Sequence, residues 1–264
     1  MILGIFAAVL QGQTAPPTSL ITIPTAGSLL RGEYEVELLM QTGGGVMGQL
    51  GVGFSDRFSL GLSYGIQGFI GDGEPEFNRL VPEAQVKYRF LDEGYNTPAL
   101  ALGIDTQGRG KFQRESFEDT AGVVLAEVER YEIKAIGIYL VGSKNWAVLG
   151  NFGSHFGISK NVWEADSTDD DINLFLGFDK DLMAGLTMYL EYNAALDDNN
   201  YDDNKLLDLG RVTVGRGKGY LNAGFRWHVS PNLSIEIDLN DILVNKGSVE
   251  YFSREMKVNF HNFF

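Results

Sequence analysis

The sequence predicts an all-β protein, a transmembrane up-and-down antiparallel β-barrel of about twelve strands. Three observations predict it. Apolar and polar residues alternate with a period of two, short and long connections alternate along the chain, and the last residue is an aromatic, Phe264. A period of two is the pattern of strands with one apolar face, and unequal loops at the two ends are typical of barrels in bacterial outer membranes.

The composition sets limits on the class of protein. The chain has 264 residues, of which 33 are glycine and none is cysteine, and its formal net charge is −14. No run of 18 or more apolar residues occurs, so the sequence predicts no membrane-spanning helix. An acidic chain without a basic patch argues against a nucleic-acid partner, and the lack of cysteine excludes disulfides and thiolate metal sites.

The first residues predict an exported protein. Ile2 to Leu10 are mostly apolar and are followed by small and polar residues, as in the core and cleavage region of a secretory signal, although a basic start is missing. An ordinary N-terminal strand is the alternative. We therefore predict a signal peptide at 1–15, an N-terminal periplasmic segment at 16–32 and an outer-membrane barrel at 33–264.

Twelve segments carry the alternation. In the stretch at 131–141, apolar residues occupy both odd and even positions, so the sequence does not show which face is apolar. The twelve predicted strands lie at 34–40, 46–54, 58–66, 84–90, 100–104, 131–141, 152–158, 172–178, 186–192, 221–227, 233–239 and 256–264.

The connections fall into two classes. Five are short, at 55–57, 91–97, 143–145, 180–185 and 229–232. The alternate connections are mostly long, at 71–81, 108–129, 160–170, 197–217 and 245–252, with only TGGG at 42–45 brief. Short periplasmic turns and longer extracellular loops are the outer-membrane arrangement. An even number of strands then places both ends of the barrel in the periplasm.

A soluble barrel would show the same alternation with its apolar face turned inward. Aromatic residues decide in favour of a membrane barrel, because they gather on the apolar face beside the short turns, as an interfacial girdle does. The predicted girdle comprises Tyr34, Phe54, Phe58, Tyr88, Phe90, Phe178 and Trp227. The end of the chain is similar to the assembly signal of outer-membrane proteins, with one apolar face formed by Met256, Val258, Phe260 and Phe264.

Several segments resemble known proteins. The hairpin GVGFSDRFSLGLSYG, the strand and turn VKYRFLDEG, and the segments PALALGIDTQG and SKNWAVLGNFGSHFG resemble uncharacterised outer-membrane β-barrel proteins of Gram-negative bacteria. Some of these are similar to the YjbH-like group linked to exopolysaccharide production. The resemblance implies an outer-membrane location and carries over no catalytic residue.

The polar face of the strands is rich in charge. We predict that it lines the lumen, with Arg226 between Glu191 and Glu236 and with Lys257 near Glu35 or Glu37. Cross-strand ion pairs that fill the barrel are one interpretation, and an acidic passage that favours cations is the other. The predicted network comprises Glu35, Glu37, Lys87, Arg89, Asp105, Glu191, Arg226, Glu236, Asp238 and Lys257.

Other candidate sites are weaker. Acidic loops offer hard oxygen ligands for Ca²⁺ without the spacing of an EF-hand, at Asp169, Asp171, Asp202 and Asp203. Ser154 and His155 lie on opposite faces, no Gly-x-Ser-x-Gly occurs, and the spacing Gly43, Gly45, Gly48 opens no helix. We therefore predict no enzyme, no cofactor and no firm metal site.

The sequence leaves three functions open. A narrow channel or facilitator for small polar or cationic solutes comes first. A non-conducting structural or surface barrel of an envelope or exopolysaccharide-export assembly is the second, and an outer-membrane hydrolase is the third. The expected partners are outer-membrane lipid and lipopolysaccharide, the barrel-assembly machinery during insertion, and small polar solutes.

Overall fold

The computed structural model describes residues 17–118, 124–147, 150–166, 171–199, 215–247 and 249–264. In these residues the regular structure is β-strand, apart from a single 3-10 turn at Leu196–Asp198. Within the same ranges, no helix has the length and apolar character needed to cross a membrane. The predicted signal peptide at 1–15 lies outside the described residues.

Twelve strands close into one antiparallel barrel. β1 (Glu33–Gln41) pairs with β2 (Gly45–Ser55) on one side and with β16 (Ser253–Phe263) on the other, and the pairing of β2 with β3 (Phe58–Gln67) completes the ring. This confirms the predicted fold class and strand number. The barrel strands are β1 (Glu33–Gln41), β2 (Gly45–Ser55), β3 (Phe58–Gln67), β5 (Glu83–Leu91), β6 (Ala99–Asp105), β9 (Gly137–Ala147), β10 (Asn151–Lys160), β12 (Asn173–Met183), β13 (Leu186–Asn193), β14 (Tyr220–His228), β15 (Leu233–Asn240) and β16 (Ser253–Phe263).

Four short or separate strands complete the chain order. β4 (Glu76–Phe77) pairs with the end of β3. The other three are β7 (Arg109–Glu118), β8 (Val124–Ile133) and β11 (Ala165–Asp166), which form a three-stranded sheet of their own. This second sheet, called the cap below, is built from two of the long connections.

The outer face of the barrel is apolar. Large aliphatic and aromatic side chains at alternate positions of the strands are 36% exposed or more, whereas buried polar and charged side chains occupy the intervening positions. A soluble barrel would do the reverse, so this surface fits lipid rather than water. Examples of the outward residues are Val36, Leu38, Leu50, Leu60, Leu62, Leu102, Leu140, Phe156, Ile158, Leu174, Leu176, Phe225 and Ile237.

Aromatic contacts concentrate at the end of the barrel that carries the short turns. The rings of Tyr34 and Phe264 lie 5.1 Å apart, and Phe152 stacks on Phe178 at 5.7 Å. Phe54 contacts Phe58 at 6.2 Å across the turn between β2 and β3. The structure thus brings several of the predicted girdle residues to one rim.

Two predicted boundaries are wrong. The segment 143–145, predicted as a short turn, lies inside β9, because its polar Ser143 points into the lumen instead of marking a turn. The predicted strand 131–141 is two strands, since β8 ends at Ile133 and β9 begins at Gly137. Gly137 has φ +77°, and a Cβ there would lie 2.3 Å from the carbonyl oxygen of Lys160, so the chain can turn only at a glycine.

A charge on the lipid face tests the orientation of the barrel. Leu62 is central in β3 and 57% exposed, and Leu62→Lys should lower the free energy of unfolding in lipid vesicles by ~2–4 kcal/mol. Leu80→Lys is the control, because Leu80 is 83% exposed in a long connection outside the strands. Denaturant titration of the inserted protein measures both, and equal effects would contradict a lipid-facing Leu62.

Candidate functional site

The N-terminal segment fills the lumen. The sequence predicts a periplasmic segment at 16–32, but the described part of this segment enters the barrel from the short-turn rim. It folds back as a tight hairpin, residues 17–30, called the lumen hairpin. The Leu20 N–H donates to the Ile23 carbonyl at 3.0 Å, and the Thr25 N–H donates to the Thr18 carbonyl at 3.2 Å. A hairpin that closes its own hydrogen bonds can stand in the lumen without joining the sheet.

Glu191, on the inner face of β13, holds the tip of the lumen hairpin. Its carboxylate accepts the backbone N–H of Ile21 at 3.0 Å, of Thr22 at 2.9 Å and of Ile23 at 3.2 Å. The Thr22 hydroxyl donates to it as well, and Asn222 Nδ2 donates from the neighbouring strand at 2.8 Å. One buried carboxylate therefore satisfies three consecutive backbone donors that would otherwise be unpaired.

Cationic side chains bind the carbonyl groups of the same hairpin. Lys257 Nζ donates to the Ile21 carbonyl at 2.8 Å, and Arg109 Nη2 donates to the same oxygen at 2.6 Å. Lys87 Nζ donates to the carbonyls of Thr18 and Gly27. The lumen wall thus offers an anion to the N–H groups and cations to the carbonyls, which complements a peptide backbone.

Apolar packing also holds the lumen hairpin against the barrel wall. Leu20, Ile21 and Ile23 are at most 1% exposed, and each such burial contributes ~1.5–3 kcal/mol. They form one core with inward-facing side chains of the wall, namely Ala99, Ala101, Tyr139, Val141, Phe175 and Tyr189, together with Ala26 and Ile136. The side of the lumen that these residues occupy is therefore packed with apolar side chains, in contrast to the polar interior that the strand alternation predicts.

A glycine makes room for this packing. A Cβ at Gly177, on β12, would lie 2.4 Å from Leu20 Cδ1 and 2.8 Å from Ile23 Cδ1. Any larger residue at this position must push both hairpin side chains aside. Gly177 therefore shapes the wall to the hairpin rather than serving a turn.

A serine, a histidine and an aspartate form a buried chain beside the hairpin. His155 Nδ1 lies 2.8 Å from Ser143 Oγ, and His155 Nε2 lies 2.7 Å from Asp179 Oδ1. Ser143 Oγ also accepts the Ala26 N–H at 2.8 Å. This group is not predicted from the sequence, because the sequence pattern predicts a turn at Ser143. Ser143 and His155 are each 1% exposed, so the chain of hydrogen bonds anchors the hairpin and offers no access to a substrate.

The predicted charged network is present in altered form. Arg226 binds Glu236 and lies over the ring of Tyr189, whereas Glu191 binds the hairpin instead of Arg226. Lys257 binds Glu236 at 2.8 Å and lies 3.8 Å from Asp238.

The sequence predicts that Lys257 lies near Glu35 or Glu37. Lys257 lines the same cavity as both carboxylates, but its direct salt bridge is with Glu236. Lys257 stands opposite Glu236 on β15 and opposite Leu39 on β1. Arg89 lies nearer the short-turn rim, where it binds Asp92.

Beside the hairpin lies a polar cavity of about 120 Å³. It is bounded by the hairpin and by the inner faces of β1, β2, β3, β5 and β6. Among the described residues, no hydrogen bond or ion pair reaches the carboxylate of Glu37, whereas the cationic groups in the wall are bound to hairpin carbonyls or to acids. Its charged and amide lining comprises Glu35, Glu37, Gln49, Gln85, Lys87, Asp105, Gln107, Arg109 and Lys257.

The cap closes the opposite end of the lumen. Arg130 is fully buried and binds Asp198 at 2.7 Å, and the Tyr131 hydroxyl donates to Glu83 at 3.1 Å. Glu164 accepts the backbone N–H of Tyr131 at 2.7 Å and of Ala135 at 2.8 Å. Its carboxylate thereby ties β8 to the connection between β10 and β12.

Of the predicted calcium ligands, the structure describes only Asp171, which is exposed two residues before β12. Asp169, Asp202 and Asp203 lie outside the described residues. Within the described ranges, no group of three or more His, Cys, Asp or Glu side chains has the geometry to hold a metal ion.

No family model matches the sequence, and no curated protein sequence matches it, so the YjbH-like resemblance gains no support. Among solved structures, the chain is similar to the KdgM porin, with 11% identity and a TM-score of 0.46. It is similar to the KdgM porin in complex with disordered oligogalacturonate, with 13% identity and a TM-score of 0.48, and to the NanC porin, with 12% and 0.44. Each match covers 88% of this chain and 99% of the other. Likeness of this degree carries no argument about activity.

The cap should loosen as the pH rises. Burial raises the pKa of Glu164 from 4.5 to about 7, so the folded cap binds a proton that the unfolded chain releases. Its stabilising contribution is complete below pH 4.5 and is lost as the pH rises through about 7. Hydrogen exchange of the Tyr131 and Ala135 amides, corrected for intrinsic rates, should accelerate with pH. Glu164→Gln should remove this dependence and Glu250→Gln should keep it; an unchanged dependence in Glu164→Gln contradicts the assignment.

The buried serine should not react. A fluorophosphonate probe should leave the folded protein unlabelled, because the hairpin covers Ser143. A serine hydrolase labelled in the same mixture confirms that the probe is active. Labelling that Ser143→Ala abolishes would contradict a purely anchoring role for this residue.

Proposed function

We propose that this chain is a narrow outer-membrane channel for small polar solutes, with a preference for cations, and that the lumen hairpin occupies its passage. The observation that carries the proposal is the polar cavity between the hairpin and β1, β2, β3, β5 and β6. A barrel whose only role is structural has no need of an internal space lined by charged and amide groups. The proposed location is the bacterial outer membrane, with the short turns in the periplasm.

The distribution of free charge supports cations. Lys87 is bound to hairpin carbonyls, and Arg109 and Lys257 are bound to hairpin carbonyls and to Glu255 and Glu236. The carboxylate of Glu37 faces the cavity without such a partner among the described residues. A cation that enters the space therefore meets a carboxylate with no hydrogen bond or salt bridge among the described residues, whereas each cationic side chain of the lining already donates hydrogen bonds.

A non-conducting structural barrel is the second candidate. It is favoured by the apolar core that Leu20 and Ile23 form with Tyr139, Phe175 and Tyr189, because a packed interior stabilises the barrel and blocks the passage. The same core is compatible with a channel only if solute passes beside the hairpin or if the hairpin moves.

Ion flow separates the two candidates. Purified protein in planar bilayers should conduct, and its reversal potential in a KCl gradient should show preference for K⁺. Glu37→Gln should reduce that preference because it removes the free carboxylate, and Glu250→Gln should leave it unchanged because Glu250 is exposed in a long connection. Absence of conductance under all conditions would contradict the channel, and an unchanged selectivity in Glu37→Gln would contradict the role of Glu37.

A further inference from the structure

The lumen hairpin has the properties of a separate part inside the barrel. Its bridge between Ser19 and Pro24 is internal, and none of its described residues joins the ladder of the barrel. The Gly27 N–H donates to Thr25 Oγ1, which adds a further internal bond. The hairpin could therefore leave the lumen as a folded unit without breaking any strand pairing.

The wall behind the hairpin keeps partners of its own. Without the hairpin, Lys257 would still bind Glu236, Arg109 would still bind Glu255, and Glu191 would still accept the amide of Asn222. Charged groups that remain paired line a water-filled passage readily. The barrel is thus built so that its lumen can be either occupied or hydrated.

Only one exit is open to the hairpin. Arg31 N–H donates to Asp56 at 3.0 Å and Gly32 N–H donates to the Gly53 carbonyl at 2.9 Å, which fixes the entry at the short-turn rim. Gly32 has φ +78°, a backbone conformation that favours glycine, and its N–H and its carbonyl are both hydrogen-bonded at the rim, so it is a fixed point about which the preceding chain can turn. At the other end Arg109, the first residue of β7, touches the hairpin tip.

We propose that the lumen hairpin is a gate that swings into the periplasm about Arg31 and Gly32, with the Glu191 carboxylate as its latch. Withdrawal joins the polar cavity to the space that the hairpin vacates and opens the lumen from the short-turn rim up to the cap. The inference deepens the proposed channel function and rests on it for its conductance, but the movement can be observed independently. Glu191 is the latch because, among the described residues, it is the one whose side chain binds three successive N–H groups of the tip.

Chemical labelling measures the movement. The chain has no cysteine, so Ala26→Cys in the full-length protein provides one thiol. Ala26 is 1% exposed and lies against the barrel wall. A membrane-impermeant maleimide should label it slowly in proteoliposomes. Adding Glu191→Gln should raise the rate by about tenfold, because hydrogen bonds to a charged acceptor are lost from the closed state.

A second variant keeps the result independent of Glu191. Gly177→Ala places a methyl group against Leu20 and Ile23 and leaves the latch intact, so it should also accelerate labelling. Glu250→Gln is the matched control and should not. Equal rates in all four proteins would overturn the gate, whatever their conductance.

A reversible crosslink connects the movement to conduction. Ala26→Cys with Ser143→Cys joins two residues that are in contact, so oxidation should fix the hairpin inside. Openings in planar bilayers should vanish on oxidation and return on reduction, and each single cysteine variant should be insensitive. Equal conductance in both states would overturn the gate and leave a channel around the hairpin. Variant-dependent labelling without any conductance would support the moving hairpin and reject the channel.

Discussion

The carboxylate of Glu191 is the interaction on which the interior depends. A charge buried at the middle of a barrel is costly unless hydrogen bonds replace its water, and here three backbone N–H groups, a hydroxyl and an amide do so. The dependence is mutual, because the hairpin tip needs an acceptor for donors that its own turn leaves free. Each partner therefore makes the burial of the other possible.

The rest of the lumen follows from this pairing. Once the tip is fixed, Leu20 and Ile23 lie against β12, where Gly177 leaves the space, and inward aromatics of β9, β12 and β13 gain an apolar partner. The opposite side of the hairpin has no such fit, and the polar cavity remains there. The interior consequently has a packed apolar side and a side that contains a small polar cavity.

The sequence predicts the barrel well, but it does not predict that the lumen hairpin fills the lumen. Alternation identifies strands and their faces because lipid and lumen select opposite side chains, as in β3 and β15. The lumen hairpin has no apolar–polar alternation as long as a barrel strand. The partners of Glu191 are backbone groups, and backbone groups leave no pattern in the sequence. The sequence predicts a turn at Ser143 because polar residues of a lumen-facing strand are similar in type to turn residues. The partner of Lys257 depended on the stagger between strands, which alternation leaves undefined.

Strand β9 shows a further consequence of the occupied lumen. Ile138 and Leu140 face outward, while Tyr139 and Val141 pack toward the hairpin, so the segment is apolar on both sides and carries no charge from Ala135 to Gly142. During transit through the periplasm neither lipid nor hairpin covers it. A short uncharged stretch of high β-propensity is the composition that nucleates aggregation. The inward apolar residues of β9, which complete the folded interior, therefore also make the unfolded chain dependent on protection from aggregation before insertion.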